Sequence, residues 1–181
     1  MKLLDTIPVP ADWEEQLQNI LLQCSDSDKS GQVYICSPCR GATWTETKRN
    51  IFAARFYMYF AWLQTSNASL APHAYLPLFL HDSIPKERKK ALWIGRILLT
   101  ICNELYVCGN RITEGMRGEI RDAARLELPI IAFNPDLLNE AIEIASESRG
   151  APYPIHFTFD AKYANLSLSP EELFEEALGD A

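Results

Sequence analysis

The sequence predicts an α/β fold, a doubly wound parallel sheet of four to five strands with helices on both faces. Apolar runs of strand length alternate with helix-length segments four times between Val33 and Ser148, the pattern of parallel strands joined by helical crossovers. A composition of 48% hydrophobic and 23% charged residues over 181 positions is that of one globular domain with a core of useful size. Turn and cap residues fall between the runs, where the alternation needs them.

Before the alternation begins, Trp13, Leu17, Ile20 and Leu21 share one face of an expected amphipathic helix over residues 11–24, and Ser25 to Gly31 is a polar linker. Val33 to Cys36 reads as a buried strand ended by Ser37-Pro38-Cys39-Arg40-Gly41. From Thr45 to Leu63 runs a helix dense in aromatics, a stripe that suits a core or a subunit interface. A second strand is expected over Ser69 to Tyr75, interrupted at Pro72. Pro85 opens a helix to about Cys102, since proline suits a first helical turn. Glu104 to Cys108 is the third strand, Thr113 to Leu126 the third helix, Pro129 to Phe133 the fourth strand, and Asp136 caps a fourth helix to about Ser148. The tail is less regular, with a capping signal at Ser169-Pro170-Glu171-Glu172. The expected organisation is a helical extension and linker over 1–30, the α/β domain over 31–150, and a C-terminal extension over 151–181.

Charge and cysteines narrow the function classes. Lys and Arg number 17 against 24 Asp and Glu, a net charge of -7, which disfavours a nucleic-acid polymer as partner. No apolar stretch reaches membrane-spanning length, and the N-terminus, with Asp5, Pro8 and Pro10, does not read as a signal peptide. Five cysteines, an odd number, fit reduced thiols in the cytoplasm. Cys36 and Cys39 form a CxxC, but Pro38 and Gly41 delay the following helix and no second pair at zinc-site spacing follows, so neither redox nor metal chemistry is expected. No cofactor is implied.

In open parallel sheets ligands bind beyond the carboxyl ends of the strands. That selects the loops Ser37–Gly41, Ala71–His73 and Gly109–Glu119. Arg40 beside Gly41 can grip an anion through paired donors, or be a surface arginine in a turn. Thr113 can cap the third helix, with Gly115 letting backbone N–H groups meet an anion at its N-terminus. Glu119, six residues after Thr113, can point into the same cleft as a nucleophile or a stabiliser of a sugar oxocarbenium ion; a helix-surface Glu paired with a neighbour fits the same residues. His73 can contact a base or phosphate, or be a satisfied half-buried histidine.

Taken together, Tyr34-Ile35-Cys36-Ser37-Pro38 with Arg40-Gly41, Asn50, Ala54, Ala71-Pro72-His73, Leu76-Pro77, Arg88, Glu104 to Gly109, and Thr113-Glu114-Gly115-Met116 with Glu119-Ile120 and Ala123 resemble the nucleoside 2-deoxyribosyltransferase superfamily. The closest likeness is to transferase-like domains of phages and bacterial mobile elements, and it spans Val33 to Phe133. The resemblance implies a Rossmann-like or flavodoxin-like sheet, and cleavage or exchange of the N-glycosidic bond of a (deoxy)nucleoside or its 5′-monophosphate. It implies Glu119 as nucleophile on the anomeric carbon, and Ser37, Pro38, Arg40, Gly41, Thr113, Gly115 and Met116 around a phosphate. His73 and Asn103 are expected at the base or sugar. Similar proteins complete their sites with a neighbouring subunit, so a homodimer or larger homo-oligomer is expected. Two positions depart from the pattern: Gly95 stands where a ribose-binding aspartate is expected, and Asn103 where Asp is common. A nucleotide N-glycosidase or deoxyribosyltransferase is therefore the first expectation, with a non-catalytic nucleotide-binding module, a sensor or sequestering protein, as the alternative. An interaction domain that keeps only the fold is the third.

Overall fold

The side chains of Val33, Tyr34, Ile35 and Cys36 are fully buried, so the strand they form, β1 (Gln32–Cys36), needs cover on both faces. The computed structural model describes residues 31–65 and 67–157. In chain order β1 is followed by α1 (Trp44–Thr65), β2 (Ala68–Leu70), two 3-10 turns at Pro72–Ala74 and Leu76–Leu78, and α2 (Pro85–Thr100). Then come β3 (Glu104–Val107), α3 (Glu114–Arg125), β4 (Ile130–Ala132), α4 (Pro135–Arg149) and β5 (Ile155–Phe157). The expected helix over 11–24 and the capping signal at Ser169 lie outside the described residues.

All five strands are parallel, in the order β2-β1-β3-β4-β5. The chain turns back across β1 to reach β3, so the topological switch point lies between these two strands, as in Rossmann-like doubly wound folds. Period-two alternation divides β1: Val33 and Ile35 join Tyr106 and Ile131 under Ala54, Tyr57 and Ala61 of α1. Tyr34 and Cys36 join Leu105, Val107 and Ile130 under α3 and α4, with Leu99 closing the α2 side. The helices thus occupy both faces.

Two expectations change, for β2 and for the cap of α4, and two others become specific. The second strand is three residues long, because Pro72 lacks a ladder donor and its fixed φ favours the turn that follows. The segment after Gly150 adds a fifth strand, with Ile130 opposite Ile155. The cap of α4 is Asn134, whose side chain accepts from the Asp136 N–H at 2.9 Å, rather than Asp136 itself. The aromatic helix splits its rings: Tyr57 and Phe60 enter the core, while Trp44, Tyr59 and Trp62 stay exposed.

Candidate functional site

At the carboxyl ends of β1 and β3 lies a cavity of about 310 Å³. Its wall draws on the loop after β1, the turns after β2, one face of α2 and the first two turns of α3.

Glu119 is set in place by α3. Thr113 is extended (φ -94, ψ 166) and its hydroxyl accepts from the Met116 N–H at 3.5 Å, which starts the helix where the loop ends. Met116, Glu119 and Ala123 then fall on one face at i, i+3 and i+7; Met116 and Ala123 are buried against the sheet, so Glu119 is carried in with them. There the Tyr34 hydroxyl donates to Glu119 Oε1 at 2.8 Å. Burial pushes the Glu119 carboxyl up to about 7, against the lowering effects of the Cys36 thiol and the Tyr34 hydroxyl, with the nearby Asp122 charge adding to the rise. Burial and the Glu119 charge keep the Tyr34 hydroxyl well above its ordinary range, so it stays a donor at neutral pH.

Gly95 forms the wall beside this pair. A Cβ there would stand 3.1 Å from the Tyr34 hydroxyl and 3.9 Å from Pro72 Cβ. The missing side chain lets α2 approach the Tyr34–Glu119 hydrogen bond closely.

On another wall, Ser37 Oγ and His73 Nε2 share a hydrogen bond of 2.7 Å. Burial lowers the His73 pKa to about 4, so its ring is neutral at pH 7. Both loops are anchored from α1. The Asn50 amide donates to the Cys39 carbonyl oxygen at 3.1 Å, and the Arg55 guanidinium to the Ala74 carbonyl oxygen at 3.2 Å. Glu46 ties the first loop to the third, accepting from Ala42 N–H at 2.6 Å and pairing with Arg111 at 2.8 Å.

The mouth is charged. Arg88 Nη1 donates to both carboxylate oxygens of Asp82, at 2.6 and 2.7 Å, and Arg40 Nε lies 3.6 Å from the same carboxylate. Leu76, Pro77, Leu80 and Leu92 supply an apolar side. Mostly apolar walls with a few convergent polar groups are the usual constitution of a small-molecule site.

Of the residues selected from sequence, Ser37, Arg40, His73, Thr113, Gly115, Met116 and Glu119 line this cavity. Pro38, Gly41 and Asn103 do not. Pro38 packs against Gly109, where a Cβ would meet its Cδ at 2.6 Å and where φ is +101. The Gly41 N–H is taken by the Thr47 hydroxyl at 3.0 Å. Asn103 sits at the amino end of β3, its side chain accepting from the Gln32 N–H at 2.9 Å; the run of the parallel strands puts it at the far edge of the sheet. Sequence reasoning named Tyr34 and Arg88 only as part of the resemblance, set Cys39 aside with its CxxC, and did not single out Asp82. Tyr34 carried a signal: a hydroxyl inside an apolar strand must find a partner when buried.

Fold and cavity together define a doubly wound α/β protein with a ligand-sized pocket at its topological switch point. The chain belongs to the DUF7768 family, a domain of unknown function, whose profile matches residues 31–133. The match spans every residue that lines the cavity. Neither curated proteins nor solved structures give a match.

Proposed function

We propose that the cavity takes a (deoxy)nucleoside 5′-monophosphate and breaks its N-glycosidic bond, with Glu119 as nucleophile. The observation that carries this reading is a partly buried carboxyl, oriented by the Tyr34 hydroxyl 2.8 Å away, inside a pocket whose mouth bears two guanidiniums; its pKa of about 7 leaves an ionised fraction at neutral pH. The ionised Glu119 attacks C1′, a glycosyl ester forms, and the C1′–N bond breaks with its electron pair leaving on the base. Water or a second base then attacks C1′ and returns the carboxylate. The Ser37–His73 pair offers one neutral donor and acceptor set to the base or sugar. Arg40, Arg88 and the N-terminus of α3 offer positive potential to a phosphate.

One observation favours binding without turnover. The other carboxylates of the cavity wall are Asp82, paired with arginines, and the exposed Glu114; Gly95 supplies none. A panel of ribo- and deoxyribonucleoside monophosphates, followed by chromatography for free base, separates the two. Release that disappears in Glu119→Ala supports the glycosidase. Binding of the same nucleotides without release supports the sensor or sequestering module, and turnover surviving Glu119→Ala would falsify the mechanism.

Cys36, Cys39 and Cys108 are free thiols among the described residues, which suits a reducing cytoplasm. The exposed Trp44, Tyr59 and Trp62 of α1 suit a homo-oligomer, which light scattering tests. No helix among the described residues is long and apolar enough to cross a membrane.

A further inference from the structure

We infer that Asp82 is an internal anion that holds, between Arg40 and Arg88, the seat of the ligand's phosphoryl group, and that its charge sets how tightly a phosphate dianion binds. The inference rests on the proposed function only in taking the ligand to carry a phosphate monoester. The three side chains come from three places, Arg40 from the loop after β1, Asp82 from the turn before α2, and Arg88 from α2 itself, and all three line the cavity that holds Glu119.

The two ion pairs are unequal. Arg88 reaches both oxygens of Asp82 in charge-assisted hydrogen bonds. Arg40 makes one longer contact of 3.6 Å, and its side chain is 65% exposed, the kind of pair solvent weakens most. Arg40 is therefore the guanidinium most readily taken over by an incoming anion. A phosphoryl group presents three oxygens where the carboxylate presents two, enough to engage Arg40 and share Arg88.

Asp82 acts in two opposing ways. It orders Arg88, and it repels any dianion seated a few ångströms away. The repulsion dominates, because α2 carries Arg88 to the mouth whatever pairs with it, whereas like charges a few ångströms apart repel. The Asp82 charge is also felt inside the cavity: after burial, it is the next cause of the rise of the Cys39 thiol to about 11. Asp82 cancels one of the two guanidinium charges of the empty mouth, so a ligand without phosphate gains little from the arginines.

Calorimetry on the full chain with ribose 5-phosphate, inorganic phosphate and plain ribose tests this. Asp82→Asn is expected to bind ribose 5-phosphate about ten-fold more tightly and with a steeper salt dependence, leaving ribose unchanged. Adding Arg88→Met should remove the gain. Asp82→Ser is the second variant should Asp82→Asn misfold, with circular dichroism checking both. Unchanged or weaker phosphate binding overturns the inference, because Asp82 would then only order the arginines. Absence of phosphate binding in wild type and variant alike overturns it too. Base release from a free nucleoside, lost in Glu119→Ala, would in that case leave the role of Glu119 standing.

Discussion

The Tyr34 hydroxyl has one carboxylate oxygen within reach, and the consequence of losing it is specific. A hydrogen bond to an ionised group is worth about 1.5–3 kcal/mol, and this one stabilises the charged form of Glu119. Tyr34→Phe should therefore raise the Glu119 pKa above 7 by roughly one unit, at 1.36 kcal/mol per unit. The acid limb of the rate profile should move up by the same amount while the alkaline plateau falls less. A loss of rate that is uniform across pH would show that Tyr34 only fills space. Gly95 belongs to the same argument. At 3.1 Å from the Tyr34 hydroxyl, a Cβ at this position needs the ring to shift by a few tenths of an ångström, so Gly95→Ala should move the limb in the same direction as Tyr34→Phe. Gly95→Asp should move it further, since a second carboxylate beside Glu119 opposes its ionisation.

At the scale of elements, α2 and α3 are joined by a forked pair, Arg96 to Asp122 at 2.5 and 2.9 Å, with Asp122 only 4% exposed. Breaking a buried pair from one side leaves an uncompensated charge. Arg125 still lies 3.5 Å from Asp122 and softens the loss. Arg96→Ala should cost about 2–3 kcal/mol in urea unfolding with an unchanged m value, and a cost below about 0.5 kcal/mol would show that Arg125 suffices. The same variant should raise the Glu119 pKa, because Asp122 already pushes it up. Element boundaries were legible in sequence where a local signal sets them, as at Thr113, whose hydroxyl starts α3, and at Pro85, which opens α2. They were not legible where tertiary pairing decides. Ile155-His156-Phe157 is too short and too close to Pro152 and Pro154 to read as a strand, and it becomes one only by pairing with β4. The site followed the same division. Glu119 and Thr113 share one helix and its spacing, and Asp82 and Arg88 pair six residues apart, whereas Tyr34 meets Glu119 through the sheet order, which residue types in sequence do not encode.

For the whole molecule the two partly buried titratable groups of the cavity, Glu119 and His73, act on stability in opposite directions. Glu119 has a folded pKa of about 7 against an ordinary 4.5. Its contribution is fully present below 4.5 and is lost as pH rises through 7, because the folded state binds the extra proton. His73 has a folded pKa of about 4 against 6.5. Its contribution is present above 6.5 and is lost as pH falls through 4, because the unfolded state binds the extra proton. Between 4.5 and 6.5 the two slopes nearly cancel, and from 6.5 to about 7 that of Glu119 stands alone. Glu119→Gln should thus melt higher than wild type at pH 8 and lose its advantage near pH 4.5, while His73→Gln should unmask a steady fall of melting temperature from pH 4.5 to 7. A carboxyl kept at the cost of stability, with its pKa drawn toward the working pH, is expected at a functional site. If Glu119→Gln melts no higher than wild type at pH 8, the carboxyl is not destabilised by burial, and the rate profile should then have its acid limb near 4.5 instead of 7.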